Sequence, residues 1–207
     1  MTETIPDHIL DDYRDINVDD NHWYRELEDD FTDDMLEIGV RVDAVYFSGF
    51  YSQGDGASFE GYVTDPHKLL TAMGYDCPSL KAYVDLAGFH NVHFYCRGRY
   101  CHECTMYIGS EDGVFAPMPG DEFFDESIFR RLMSDEHGDS LRVEVMLSVL
   151  RQYDAVKLEA EMLGFARDKA RDLYRQLSEL YDYLTSDEQV AQALIDNNVL
   201  TQEFENG

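Results

Sequence analysis

Basic residues are scarce in this sequence: 16 lysines and arginines stand against 43 aspartates and glutamates, and the formal net charge is −27 at pH 7. Proteins that bind DNA or RNA through phosphates need lysine and arginine to replace counterions, and anionic membrane surfaces attract the same residues. The imbalance therefore argues against direct nucleic-acid binding and against a role at a membrane surface.

Long apolar runs are also missing, since no stretch of about 18 apolar residues suits a membrane span. The first residues, MTETIPDHILDD, have neither the basic start nor the apolar stretch of a signal peptide. We therefore expect the protein to act in the cytoplasm of the bacterial cell that makes it. The four cysteines are then expected to be reduced thiols.

Apolar and aromatic residues are plentiful, at 44% and 13% of the chain. This composition can bury a core, which excludes a wholly disordered acidic tail. The segment opened by Pro6 predicts a short helix over residues 6–15. A second helix is predicted over residues 21–38, because its apolar side chains recur at steps of three and four: Trp23, Leu27, Phe31, Met35 and Ile38.

The period then changes to that of strands, rich in β-branched and aromatic residues. Strands are predicted over residues 42–51 and 58–63 around a turn, and over 90–96 and 100–109 around a second turn, with a short helix over 66–73. The fold class predicted is α+β, with an antiparallel sheet of about four strands from two hairpins, acidic N-terminal helices and a long C-terminal helix.

A continuous apolar stripe predicts that this long helix runs from Ser140 to Leu184, with Gly164 as a site for a bend or break. Thr185-x-x-Glu188 fits a capping box that begins a last helix. We expect an acidic domain with both hairpins over residues 1–135, and the two C-terminal helices over 136–207 packed on it. The stripe is longer than a small sheet needs, which favours a homodimer through the C-terminal helix.

Four stretches resemble a family of phage and prophage early proteins, some of which are labelled as antitoxins of toxin–antitoxin systems. They are Tyr13-Arg-Asp-Ile-Asn-Val followed by Trp23, the block Tyr46-Phe-Ser-Gly-Phe-Tyr-Ser-Gln-Gly-Asp-Gly-Ala-Ser-Phe-Glu-Gly, Gly98-Arg-Tyr-Cys-His-Glu, and Leu173-Tyr-Arg-Gln-Leu with Tyr181-Asp-Tyr-Leu-Thr-Ser-Asp-Glu. The resemblance implies a phage origin and a small α+β fold, and it implies no catalytic residue.

Catalytic and metal-binding patterns are weak. Three thiols and an imidazole, the zinc candidates Cys96, Cys101, His102 and Cys104, lie within nine residues. On a strand, however, Cys101 and Cys104 would point to opposite faces, so ordinary hairpin residues are the favoured interpretation. Gly54-Asp-Gly lacks the spacing of a phosphate loop and predicts a turn whose glycines take positive φ. We expect no enzyme activity, no cofactor and no specific metal site.

Acidic residues remain as the main functional signal. Residues 26–37 hold seven carboxylates in twelve positions, about one per 2.6 Å along a helix, which compares with one phosphate per about 3.4 Å on one strand of B-DNA. The predicted partner-binding surface consists of Asp19, Asp20, Glu26, Glu28, Asp29, Asp30, Asp33, Asp34, Glu37, Glu111, Asp112, Asp121, Glu122, Asp125 and Glu126.

The function that this pattern favours is a phage-encoded DNA mimic. It would inhibit a host DNA-processing enzyme, such as DNA gyrase or a restriction or recombination nuclease, by occupying its DNA-binding surface. Two alternatives stay open: an antitoxin or adaptor that binds a single protein partner, and charge that serves solubility alone.

Overall fold

The computed structural model describes residues 5–20, 22–52, 54–75, 92–99, 101–110 and 155–199. Within them, five α-helices and four β-strands occur in the following order. They are α1 (Asp7–Asp12), α2 (Arg25–Glu37), β1 (Val40–Ser48), β2 (Gly56–Val63), α3 (Pro66–Ala72), β3 (Val92–Cys96), β4 (Met106–Ser110), α4 (Ala155–Leu184) and α5 (Asp187–Asp196).

The four strands form one antiparallel sheet in the order β1-β2-β3-β4. β1 pairs with β2 from Val40 opposite Val63 to Ser48 opposite Gly56, and β3 pairs with β4 along its whole length. The predicted α+β fold, with a four-stranded antiparallel sheet from two hairpins and a long C-terminal helix, is confirmed.

The alternation of side chains gives the sheet two different faces. On the inner face, Phe59 and Phe94 are 0% and 2% exposed, and their ring centroids lie 5.8 Å apart. Phe31 of α2 meets Phe59 edge-on at 5.5 Å. Phe59 is therefore in contact with aromatic rings from both a neighbouring strand and the covering helix. The outer face carries Tyr62, His93, Tyr95 and Tyr107 and is partly exposed.

A bulge in β1 depends on a glycine in β2. The register shifts between Val42 and Ala44, and Gly61 lies opposite Val42. A Cβ at Gly61 would collide with the carbonyl group of Arg41. Glycine at this position allows the close approach of two backbones that the bulge requires.

Replacing Gly61 by alanine is expected to lower the free energy of unfolding by about 2 kcal/mol, because the new methyl group must displace backbone rather than a flexible side chain. Urea denaturation of the full chain measures the change. The matched control is Gly164→Ala in α4, where a Cβ meets nothing within 4 Å and helix propensity favours alanine by about 0.5–1 kcal/mol. Equal midpoints for the two variants would contradict this account of the bulge.

The glycine-rich block forms a loop that Asp55 holds together. Its carboxylate accepts hydrogen bonds from the backbone N–H of Ser52 and from the Ser52 hydroxyl, the latter at 2.8 Å. Gly54 takes φ +99°, as predicted for a turn, whereas Gly56 begins β2 and is buried against His102. The block is therefore explained by the geometry of a hairpin loop.

The same hydrogen bonds lower the pKa of Asp55, chiefly that from the backbone N–H of Ser52 and then that from its hydroxyl. A carboxyl group whose pKa is lower in the folded protein stabilises it above its unfolded pKa of about 3.9, and this contribution is lost as pH falls through the lower folded value. We expect a ¹³C NMR titration to place the pKa of Asp55 below its unfolded value of about 3.9, and protection of the Ser52 amide from hydrogen exchange to be lost as Asp55 is protonated. A pKa at or above the unfolded value would contradict the assigned hydrogen bonds.

The second hairpin differs from its prediction, since β4 begins at Met106 rather than at Tyr100. A turn containing a 3₁₀ helix, Glu103–Thr105, precedes it. His102 Nδ1 accepts a hydrogen bond from the backbone N–H of Cys104 at 3.2 Å, and the Thr105 hydroxyl accepts one from the backbone N–H of His102 at 3.1 Å. These local bonds satisfy backbone groups that a strand would otherwise pair.

The acidic helix α2 begins at Arg25, four residues later than predicted. Trp23 lies in the preceding turn, where its ring contacts Tyr24 at 5.4 Å and Tyr181 at 5.9 Å. Trp23 therefore packs as part of an aromatic cluster and not as the first member of the helical series.

The long helix α4 runs without a break through Gly164. Its predicted start at Ser140 lies outside the described residues. Its apolar stripe is 0–2% exposed within a single chain, at Leu158, Met162, Ala166, Ala170, Leu173 and Leu177. This part of the stripe is thus already covered, and a homodimer through the helix stays a prediction. After α4, Ser186 rather than Thr185 caps α5, by accepting from the N–H of Gln189.

The chain divides into two compact units, Met1–Asp30 with Leu173–Gly207 and Phe31–Asp172. In the first, Leu10 packs with Val190 and Leu194 of α5, and Arg14 donates to the carbonyl oxygen of Thr185 at 3.0 Å. The second contains the sheet. The predicted boundary between residues 135 and 136 lies outside the described residues. Among the described helices, none is both long enough and apolar enough to cross a membrane.

Candidate acidic interface

Helix α2 turns a narrow apolar side inward. Phe31 and Met35 are 8% and 1% exposed, and Leu27, one turn earlier, is half-buried. At about 100° of rotation per residue, these three side chains span about 80° of the helix. Five carboxylates fall within about 100° on the opposite side. We call them the acidic stripe: Glu26, Asp29, Asp30, Asp33 and Glu37.

All five side chains of the acidic stripe are exposed. Asp34 flanks it and is also exposed, whereas Glu28 on the other flank is half-buried. Asp19 and Asp20 are exposed in the segment before α2, and Asp20 accepts a hydrogen bond from the backbone N–H of His22 at 3.0 Å. The remaining predicted surface residues lie outside the described residues: Glu111, Asp112, Asp121, Glu122, Asp125 and Glu126.

The acidic side chains of α2 repel one another. No basic residue lies in its last turn, and across the described parts of the chain no ion pair includes an α2 carboxylate. Like charges three or four residues apart destabilise a helix by about 0.2–0.5 kcal/mol per pair. Asp33 and Glu37 also lie toward the negative end of the helix dipole. Helix stability therefore explains Glu26 and Glu28 in the first turn but not the acidic residues that follow.

An apolar feature at the end of α2 was missed by the sequence analysis. Leu36 is 51% exposed, and a shallow groove of about 400 Å³ adjoins the same helix end, lined by Glu37, Ile38, His67, Lys68, Thr71 and Ala72. Leu36 falls outside the series of inward apolar positions and interrupts the polar face. This interruption in the sequence could have indicated an exposed apolar side chain at the end of α2.

The zinc candidates have other roles in the structure. Cys96 ends β3, Cys101 and His102 lie in the turn before β4, and Cys104 is in its 3₁₀ helix. His102 Nδ1 is engaged by the N–H of Cys104. Over the residues that the structure describes, no group of three or more His, Cys, Asp or Glu side chains could hold a metal ion. The strand assumed for Cys101 and Cys104 was wrong, because the local hydrogen bonds of His102 form a turn there.

Cys96 has little thiolate character. Burial raises the pKa of its thiol, and the nearby Ser58 hydroxyl opposes that shift. Its backbone N–H donates to Glu60 Oε1 at 3.0 Å, while the other oxygen of Glu60 accepts from the Tyr46 hydroxyl at 3.2 Å. A raised thiol pKa disfavours nucleophilic chemistry, and these contacts serve to join β1, β2 and β3.

Comparison with known proteins places the chain in a family. The family model described as a domain of unknown function, DUF8835, matches residues 23–187. The chain belongs to the DUF8835 family. No curated protein and no solved structure matches it. In this DUF8835 protein the matched span includes the acidic stripe, the whole sheet and α4.

Proposed function

We propose that the protein is a DNA mimic, which presents the acidic stripe to lysines and arginines that otherwise hold DNA phosphates. One observation carries the proposal. Five exposed carboxylates, none of which forms an ion pair within the described residues, lie on one side of a helix whose other side is fixed by buried Phe31 and Met35. A fixed set of charges competes for a phosphate-binding surface better than a disordered acidic tail, which must lose conformational entropy on binding.

The spacing of the stripe supports the same proposal. From Glu26 to Glu37 the helix rises about 17 Å, so five charges occur at about one per 3–4 Å. One strand of B-DNA presents one charge per about 3.4 Å. The electrostatic strain within α2 is also consistent with a stripe that serves binding.

The proposed target is a DNA-processing enzyme of a bacterial host, of the kind exemplified by DNA gyrase or a restriction or recombination nuclease. A phage origin, implied by the resemblance of the Tyr46–Gly61 block, gives inhibition of such an enzyme a biological purpose. The proposed site of action is the host cytoplasm. The protein acts by occupancy and requires no catalytic residue or cofactor.

Affinity purification of the tagged full chain from host cells, followed by mass spectrometry, identifies the partner. Purified protein and labelled duplex DNA then compete for that partner in an equilibrium binding assay. We expect DNA to be displaced by the wild type. A partner that binds DNA and this protein simultaneously, without any competition, would exclude mimicry.

An adaptor or antitoxin that binds a single protein partner is the second candidate, and one observation favours it. Exposed Leu36 and the adjoining groove offer an apolar contact that a pure charge mimic does not need. Binding through such a contact persists at high salt, because apolar burial is not screened. A Leu36→Asp variant that loses binding at 0.5 M salt, while neutralising the acidic stripe has no effect, would favour this candidate.

A further inference from the structure

The outer face of the sheet carries a row of aromatic rings across three strands. Tyr62 of β2 lies opposite His93 of β3, and Tyr95 of β3 lies opposite Tyr107 of β4. Residues directly opposite in an antiparallel pair share a face. His93 and Tyr95, two positions apart, share it as well. We call these four residues the aromatic platform.

The rings of the platform lie in two pairs. The centroids of Tyr95 and Tyr107 are 5.9 Å apart with 23° between their planes, and those of Tyr62 and His93 are 5.7 Å apart with 38°. Tyr107 is 42% exposed, and the other three rings are half-buried. The platform therefore consists of two ring pairs on one face of the sheet, and Tyr107 offers the most exposed ring.

Two arginines lie over rings of the platform. The Arg97 guanidinium lies 5.0 Å from the ring centroid of Tyr95 and 6.0 Å from that of Tyr107. Arg41 lies over Tyr62 at 5.5 Å and donates to its hydroxyl group at 2.9 Å. Arg41 also pairs with Asp43 at 3.4 Å.

Arg97 keeps its N–H donors available. It is exposed, and in the described chain its guanidinium makes neither an ion pair nor a hydrogen bond. A guanidinium held over tyrosine rings loses less freedom than an unsupported one when its donors bind a phosphate group. Arg97 thus combines an aromatic support with an anion-binding edge.

We propose that the aromatic platform binds single-stranded nucleic acid, with one base stacked on the exposed ring of Tyr107, a second base on the guanidinium that lies over Tyr95, and a phosphate group at the N–H edge of that guanidinium. Bases from single strands stack on exposed aromatic side chains of four-stranded sheets, and each stacked base contributes substantially to affinity. Duplex DNA does not fit this surface, because its bases are already stacked in pairs. The proposal is independent of the acidic stripe.

The sheet itself carries two carboxylates near the platform, and both are engaged. Asp43 pairs with Arg41, and Glu60, which shares the outer face, accepts from the Tyr46 hydroxyl and from the backbone N–H of Cys96.

Phe31 packs on Phe59 at the inner face, so the outward carboxylates Asp33 and Glu37 lie beyond the width of a helix, about 10–12 Å, from the outer face. The Debye length at physiological salt is about 8 Å. The affinity gained by stacking depends less on salt than the affinity gained by phosphate contacts. With only two arginines at the platform, we expect the affinity for nucleic acid to fall only slowly as salt rises.

Fluorescence anisotropy with labelled oligothymidylate and oligouridylate of about eight nucleotides tests the proposal, since single-strand sites span about 4–16 nucleotides. We expect at least one of the two probes to bind the full-length wild-type protein. Tyr107→Ala is expected to weaken that binding by about tenfold. Arg97→Gln should weaken it and reduce the slope of log affinity against log salt by about one.

Two control variants separate stacking from loss of fold. Tyr107→Phe keeps the ring and should bind as the wild type does. Tyr183→Ala removes a tyrosine that is 57% exposed on α4 and should also leave binding unchanged. The proposal is overturned if neither probe binds at up to about 100 μM protein, the weak end of non-specific affinities. It is equally overturned if Tyr107→Ala and Arg97→Gln bind as well as the wild type.

Discussion

Neutralising the acidic stripe is expected to weaken competition with duplex DNA for the partner by about 100-fold or more, while raising the melting temperature of the protein. The variant replaces five carboxylates by amides: Glu26→Gln, Asp29→Asn, Asp30→Asn, Asp33→Asn and Glu37→Gln. If each carboxylate contributes about 0.5–1 kcal/mol to a contact with a basic side chain, affinity falls by about 100-fold or more.

The rise in stability follows from the repulsion within α2. The five charges form five like-charge pairs three or four residues apart, each costing about 0.2–0.5 kcal/mol. Their removal is expected to stabilise the protein by about 1–2 kcal/mol, or about 2–8 °C in melting temperature for a chain of this size. Differential scanning calorimetry at low salt measures it. Loss of binding together with a gain in stability cannot come from unfolding.

A matched variant controls for net charge. Glu179→Gln, Asp182→Asn and Glu188→Gln remove three exposed charges from the C-terminal helices, and the comparison is a triple variant of the stripe, Asp29→Asn, Asp30→Asn and Asp33→Asn. Only the stripe variant should lose competition. Equal losses in both would mean that total charge, rather than the stripe, determines binding.

Truncation of Phe59 is expected to have the largest effect on folding. Its ring is 0% exposed and lies between Phe31 of α2 and Phe94 of β3. Phe59→Ala should lower the free energy of unfolding by about 3–5 kcal/mol, through lost burial and a residual cavity. That is a large part of the 5–15 kcal/mol that is typical of a domain.

Urea denaturation monitored by circular dichroism measures this loss. Phe59→Leu is the control, since a smaller change in apolar volume should cost less than about 2 kcal/mol. Because α2 packs on this ring, Phe59→Ala should also weaken binding of the partner, and a stabilising ligand or lower temperature should restore it. A cost below about 1 kcal/mol would mean that Phe59 is not central to the core.

Periodicity in the sequence was sufficient to predict the sheet, α2 and α4. Each of these elements buries one face, and the spacing of its apolar residues indicates which face that is. Periodicity failed where short-range hydrogen bonds decide the backbone. The side chains of His102 and Thr105 form a turn where residue types favoured a strand, and Trp23 packs with Tyr181 in place of joining α2. Such contacts depend on side-chain geometry or on distant residues, which residue spacing does not encode.

The candidate site was predictable to a similar extent. The helical period correctly placed Phe31 and Met35 inward and the stripe outward. The position of Leu36 in the helical period indicated its exposure, but the groove at the end of α2 was not predictable, because it depends on how α3 packs there. The aromatic platform was missed because it needs the register of three strands, and only pairing brings Tyr62, Tyr95 and Tyr107 to one face.

The most direct test of the acidic stripe is the salt dependence of its competition with duplex DNA for the purified partner. The inhibition constant of the wild type should weaken by about tenfold or more between about 50 and 200 mM salt, because screening acts on exposed charges. The variant with all five amide substitutions should inhibit weakly, and its inhibition constant should change little with salt. Inhibition by the wild type that is unchanged across this range, or equal inhibition by the amide variant, would contradict DNA mimicry by α2.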